Sequence, residues 1–239
     1  MTQVVLTKTI PQLKERLSLN IRNVDELFPG FTLGDFAIIY GSHSIASLTT
    51  LLCARAQLPF QLGGLNSNTI FIDCGNTFSN EQIFRQAKIH HLNPKQVLNN
   101  VHVSQASSAY EMTSLILERL KGIVEKYNAK IIVISDIARL FLSEDLPEEE
   151  SRSVFSQVMG YLQNFVQEKK LILIITYLSR QNSSRNSYLK TVAFGKANVV
   201  ISIMQTLYDR DFNLEKHPHL MLGTAEYPSE NVTLTDFLF

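Results

Sequence analysis

Six short strand-like runs, at 36–40, 69–73, 101–104, 130–134, 171–176 and 198–204, most of them almost wholly apolar, constrain this chain more than any other feature. Each is β-branched or aliphatic and bounded by polar turns. Runs apolar at nearly every position, with no wet alternate face, predict strands covered on both sides, as in a parallel sheet. Helical periodicity fills 44–58, 80–90, 110–127 and 152–167; in the third, Met112, Leu115, Ile116, Ile123 and Val124 share one face. Parallel neighbours need crossover connections, so the alternation predicts an α/β fold: right-handed βαβ units and a mostly parallel central sheet flanked by helices. Ligands of such sheets meet the carboxyl ends of the strands. After residue 204 the pattern becomes strand-like around 209–213 and 228–231, which predicts a C-terminal antiparallel hairpin extension.

The chain has 239 residues, 45% of them hydrophobic, enough for one large domain. That domain is expected over 20–239, after an extension at 1–19 with an amphipathic helix through Leu13 and Leu17. The 22 Lys and Arg balance the 22 Asp and Glu, which excludes a polycation or an acidic tail protein. Cys53 and Cys74 both lie in apolar stretches and read as small buried hydrophobes. No stretch approaches the roughly 18 apolar residues of a membrane span, and no address is visible, so a cytoplasmic, reducing setting is expected.

The first long run leads into Gly41-Ser42-His43-Ser44 and then an apolar helix, where a phosphate-binding loop would stand. Such a loop needs Gly-x-x-x-x-Gly-Lys-[Ser/Thr]: backbone N–H groups wrap the phosphates, Lys neutralises them and the hydroxyl holds Mg²⁺. Counting from Gly41 puts Ala46, Ser47 and Leu48 at the last three positions. A shorter loop would put Ser44 there instead, yet no lysine occurs between Lys14 and Lys88, so no register supplies one.

With these residues in view the chain resembles the ATPase core of the RecA/RadA recombinase superfamily, nearest the archaeal RadA/RadB-type paralogues. Asn23-Val-Asp-Glu-Leu-Phe28 followed by Gly34-Asp35 is similar to the entry into the family's first core strand, and Gln57-Leu-Pro59 matches the tripeptide after its P-loop helix. Ile72-Asp73-Cys74-Gly75-Asn76-Thr77-Phe78 resembles the family's Ile-Asp-Thr-Glu-Gly-Thr-Phe, with Asn99-Asn100-Val101 at family spacing. The segment from Ile131 to Phe141 is similar to the strand bearing the metal-site aspartate, and Leu214-Glu-Lys-His217 to a late RadB segment.

Against that pattern, the catalytic glutamate falls on Gly75, the Asp-Ser pair of the metal strand appears as Ser135-Asp136, and the nucleotide-sensing Thr-Asn-Gln reads Thr176-Tyr177-Leu178. The resemblance therefore implies remnants of a nucleotide site at Gly41, Ser42, Ser44, Ser47, Asp73, Thr77, Ser135, Asp136 and Thr176, without catalytic residues. Losing the lysine and the Mg²⁺ hydroxyl removes two contacts of roughly 1.5–3 kcal/mol each, an affinity loss on the order of 10² to 10⁴-fold. No cofactor is expected, with room left for weak ATP binding but not for hydrolysis.

From Lys169 to Tyr208 there is no Asp or Glu, while six Lys and Arg are present. The segment from Arg180 to Lys190 stands where the family has its second DNA-binding loop. Arg180, Arg185, Tyr188 and Lys190 would suit single-stranded DNA, and the same composition suits a solvated loop. The counterpart of the first DNA loop, Ser143 to Glu150, has five acids in eight residues, which would repel phosphate or simply load a helix start. His90-His91 and His217-Pro-His219 complete no metal set.

The family's Phe-x-x-Ala linker motif and its helix-hairpin-helix domain find no counterpart, so a long homo-filament is not expected. The resemblance implies a non-catalytic accessory factor in homologous recombination and DNA repair, whose partners would be a recombinase or RecA-family paralogue subunit and single-stranded DNA. The alternatives are a weak or composite DNA-dependent ATPase completed by a partner, and a protein-only scaffold.

Overall fold

The computed structural model of the chain describes residues 15–41, 45–180, 183–205 and 210–227. In order these form β1 (Arg16–Leu17), α1 (Arg22–Leu27), β2 (Phe31–Thr32), β3 (Phe36–Gly41), α2 (Ile45–Arg55), a 3₁₀ turn (Phe60–Leu62), β4 (Thr69–Asp73), α3 (Asn80–Ile89), α4 (Pro94–Asn99) and β5 (Val101–Gln105). There follow α5 (Ala109–Ser114), a π-helical turn (Leu115–Arg119), α6 (Leu120–Tyr127), β6 (Ile131–Ser135), α7 (Ala138–Phe141), α8 (Glu148–Lys169), β7 (Ile172–Leu178), α9 (Ser184–Lys196), β8 (Val199–Gln205), β9 (Arg210–Lys216) and β10 (Gly223–Tyr227).

The large sheet runs β10-β9-β8-β3-β7-β6-β4-β5. From β8 to β5 all neighbours are parallel, and β9 and β10 add an antiparallel hairpin at one edge. The fold class is the expected one. The second hairpin arm, expected at 228–231, falls outside the described residues; the arm observed is Gly223–Tyr227.

Strand alternation divides the interior into two cores. Ile38, Ile72, Ile134 and Ile175 face one core, shared with Met112, Leu120, Phe155 and Leu162 of α5, α6 and α8. Ile39, Phe71, Val133 and Ile174 face the other, shared with Leu52 of α2 and Ile83 of α3. Both faces of the central strands are dry, which explains the unbroken apolar runs.

Leu17 is not helical as expected: it pairs with Phe31 across β1 and β2 and is fully buried, while Leu13 lies outside the described residues. Arg55 fastens this sheet to the body. Only 1% exposed, it donates from Nε to the Ser18 carbonyl at 2.6 Å and from Nη2 to Ser18 Oγ at 2.9 Å and the Leu62 carbonyl at 2.8 Å.

Helix α8 begins at Glu148, four residues before the expected start, and places Glu148, Glu149 and Glu150 in its first turn, where carboxylates are favoured by the helix dipole. Four further helices, α1, α4, α7 and α9, stand outside the segments where helix is expected. Asn93 Oδ1 caps α4 and Pro94 opens it; Ser183 Oγ accepts the Asn186 N–H at the start of α9. Among the described residues no helix is long and apolar enough to cross a membrane.

Candidate functional site

The carboxyl ends of β4, β6 and β7 bring most of the expected site residues together. Asp73, at the end of β4, is 3% exposed. Its carboxylate gathers the turn that follows, accepting the N–H of Thr77 at 3.0 Å and of Phe78 at 3.1 Å, an Asx-type closure with Asn76 at positive φ. Ser135, at the end of β6, donates its hydroxyl to Asp73 Oδ1 and accepts the N–H groups of Cys74 and Gly75, each at 3.1 Å. One proton and two lone pairs are all a hydroxyl has, so Ser135 is saturated.

Asp136 follows in a left-handed conformation, φ 44°, and is 1% exposed. Its N–H donates to Thr176 Oγ1 on β7 at 2.8 Å. Its carboxylate is gripped by both guanidinium nitrogens of Arg180, Nη1 at 2.7 Å from Oδ1 and Nη2 on Oδ2. This planar, two-pronged pairing is the strongest geometry open to a carboxylate and a side-chain cation. The hydrogen bonds to Asp136, and then its charge, accordingly hold the Arg180 pKa above its ordinary value.

Gly75 fits between these groups because it has no side chain. A Cβ there would lie 2.9 Å from Asp136 Cβ and 3.0 Å from Thr77 Cγ2. The adjacent Cys74 thiol is pushed up to about 12, first by burial and then by the negative charges of Asp73 and Asp136. It stays protonated and unreactive near neutral pH.

Gly41 closes β3 with φ 134°; a Cβ would sit 2.1 Å from the Ile203 carbonyl oxygen of β8. Its conservation of space serves strand packing. Ser42 and Ser44 lie outside the described residues. Ser47 is half-buried in the first turn of α2, where its carbonyl accepts the Thr50 hydroxyl, and the next residue, Leu48, is 1% exposed in the core.

The Arg180–Lys190 stretch is not the open loop its composition suggests, because α9 occupies Ser184–Lys196. Weak apolar periodicity hides this helix, although the Ser183 cap and the Leu189–Ala193 pair, both fully buried, mark it. Arg180 belongs to the Asp136 cluster. Arg185 donates to the Ser143 carbonyl at 2.8 Å. Tyr188 shares a hydrogen bond with Ser156 at 3.0 Å, and its ring lies 4.9 Å from the Arg152 guanidinium. Lys190 is exposed, with Nζ 4.8 Å from the centre of the Tyr40 ring.

The acidic segment joins the same assembly. Glu148 pairs with Arg152, which also donates to Ser184 Oγ at 2.8 Å. The two stretches that would correspond to DNA loops are thus bonded to each other. Among the described residues no three His, Cys, Asp or Glu side chains converge as a metal site, and His217 Nδ1 instead accepts the N–H groups of His219 and Leu220. Sequence reasoning missed the Arg180–Asp136 pair, since nothing in the local pattern links residues on two different strand ends.

A Rad51 family profile matches residues 16–197. The "DNA repair and recombination protein RadA" of Ignicoccus hospitalis is 30% identical over 155 residues, covering 61% of this chain and 46% of that protein, so the match spans a little under half the relative's length. The sheet order, the hairpin edge and a profile match over most of the sequence agree, and the chain belongs to the Rad51 family, within the RecA/RadA recombinase superfamily.

Proposed function

We propose that this chain is a non-catalytic member of its family, an accessory factor in homologous recombination and DNA repair that acts by contact with a recombinase or another RecA-family paralogue subunit. One observation carries the reading: the buried Asp136 carboxylate at the strand ends is neutralised by Arg180, a side chain of the same protein, rather than left open toward a metal and a phosphate. Around it, the hydrogen-bonding capacity of Ser135 and much of that of Asp73 is engaged internally, and Gly75 has no room for a side chain. The sequence offers no lysine between Lys14 and Lys88 to face a phosphate. These residues do not fit Mg²⁺-ATP.

Single-stranded DNA is the further partner in this reading, held by Arg180, Arg185, Tyr188 and Lys190. A specific observation favours the protein-only alternative: each of the four already has an intramolecular partner. Two measurements on the purified protein separate the readings. Mg²⁺-dependent ATP turnover is expected to be absent, and steady turnover overturns the non-catalytic assignment. Fluorescence anisotropy of labelled single-stranded DNA, at low and moderate salt, with and without Mg²⁺-ATP, then decides the partner. Salt-sensitive binding indifferent to ATP supports a DNA accessory factor; no binding leaves the protein scaffold, in which replacing Arg180, Arg185 and Lys190 changes no DNA signal.

A further inference from the structure

A cavity of about 240 Å³ opens at the other end of the sheet, between the starts of β4 and β6 and the ends of α4 and α6. Seven carboxamide side chains line it, together with Ser67, Tyr127, Leu92 and Val97, and no charged group does. An amide lining could in principle offer donors, acceptors or both. Here the backbone decides which.

Gln57 Nε2 donates to the Val97 carbonyl at 3.0 Å and reaches the Cys53 carbonyl at 3.5 Å. Carbonyls only accept, so this end of Gln57 must be its NH₂. Gln57 Oε1 then accepts from Asn100 Nδ2 at 3.1 Å. Asn68 is fixed the same way, with Nδ2 donating to the Tyr127 carbonyl at 2.7 Å. The NH₂ of Gln57 and one N–H each of Asn68 and Asn100 are therefore engaged inside the wall. The Asn68 and Asn100 carbonyl oxygens are left without a donor among the described residues. Asn93 differs: its Oδ1 caps α4 through the Lys95 and Gln96 N–H groups and its NH₂ is left over.

The helical run from α5 through α6 ends at Tyr127, which adds the negative pole of a helix to this side. Lys126 and Lys130, close in sequence, do not line the cavity: Lys126 Nζ sits 4.9 Å from the centre of the Tyr127 ring, and Lys130 pairs with Glu15 at 3.2 Å. The lining is thus uncharged, presents the Asn68 and Asn100 oxygens as open acceptors beside the NH₂ of Asn93, and includes the apolar surfaces of Leu92, Val97 and Tyr127.

We propose that this cavity binds a primary ammonium group carried on a short methylene chain. Carboxamide oxygens accept its N–H bonds, and the apolar wall covers the methylenes. A carboxylate or phosphate would meet the same oxygens with like polarity. The volume corresponds to roughly eight waters at about 30 Å³ each, which leaves room for a butylammonium ion. Two sources share this chemistry, a free polyamine and a lysine side chain of another protein.

The test uses the full chain labelled with ¹⁵N and titrated with putrescine, with Nα-acetyl-lysine amide and with tetramethylammonium chloride at matched ionic strength. The side-chain NH₂ resonances of Gln57, Asn68 and Asn100 are expected to move with the first two and not with tetramethylammonium, which has no N–H. Shifts with putrescine alone identify a free polyamine as the ligand, and shifts with the lysine amide alone a protein side chain. Gln96→Phe, at an exposed position on the rim, fills the cavity without touching the core and is expected to weaken binding by about tenfold or more. The proposal is overturned if neither amine moves these resonances, if tetramethylammonium moves them equally, if shifts are confined to the Glu144–Glu150 segment, or if Gln96→Phe binds as the parent does.

Discussion

The two ends of the central sheet have opposite hydrogen-bonding economies. At the carboxyl ends of β4, β6 and β7, Asp73, Ser135, Asp136, Thr176 and Arg180 satisfy one another in a closed set. At the amino ends, the Asn68 and Asn100 oxygens face a cavity without a donor among the described residues, and Thr69 Oγ1 at the start of β4 is buried without a partner, whereas near the closed end Arg152 Nε is the buried atom left over. Parallel sheets of this kind ordinarily receive ligands at the carboxyl ends. In this chain, the uncharged cavity lies at the opposite end. Where a fold normally binds and where a given sequence retains unpaired polar groups are separate questions.

The comparison breaks most visibly at Arg180. Replacing it with alanine leaves Asp136 charged, buried and unpaired, and such a change costs about 3–5 kcal/mol. Urea denaturation is expected to show that loss, with most of it recovered when Asp136→Asn is added; an Arg180→Ala variant as stable as the parent shows the pair to be incidental. Arg180→Lys is expected to fall between, since an ammonium cannot make the two-pronged contact.

Ser135→Ala tests the closed end more gently. It removes one donor and two acceptances at once, for an expected loss of about 1–3 kcal/mol. The amide protons of Cys74 and Gly75 should exchange faster with solvent while those of β7 do not. Uniform acceleration across the sheet means that the hydroxyl stabilises the whole fold rather than this turn.

The open end is sharpened by pH. Burial, then the charges of Arg55 and His91, lower the pKa of His90 from 6.5 to about 4. A depressed pKa gives stability that is present above 6.5 and is lost as pH falls toward 4. Asp25 works the other way: burial raises it from 3.8 to about 6, so its contribution grows as pH falls through the same window. The two nearly cancel in the parent, so His90→Phe should convert a small net change between about pH 6.5 and 4 into a clear gain on acidification, read as the change in urea midpoint; an unchanged pH profile removes His90 from the balance.

Much of the fold is legible in the sequence because strands dry on both faces leave unbroken apolar runs, and those at 36–40, 69–73 and 130–134 are strands as expected. The short α4 and the polar α9 were hidden because their signals lie in caps, Asn93 and Ser183, and not in a periodic apolar face. The candidate site was legible at Asp73, Thr77, Ser135, Asp136 and Thr176, which neighbouring strand ends bring together. Arg180 was assigned to a different surface. Its partner lies 44 residues away and is reached only once β6 and β7 are side by side, a relation that no local pattern encodes. The amide cavity escaped for a related reason: asparagines scattered from 66 to 128 read as turn formers one by one.

The crowding around Gly75 has a historical consequence. Carboxylates at 75 and 135, where the family resemblance expects them, cannot be introduced singly. A side chain at 75 collides with Asp136, and an aspartate at 135 exchanges the hydroxyl that donates to Asp73 for a second negative charge beside it. Rebuilding the family pattern at this corner therefore takes concerted changes at 75, 135 and 136 rather than one substitution at a time.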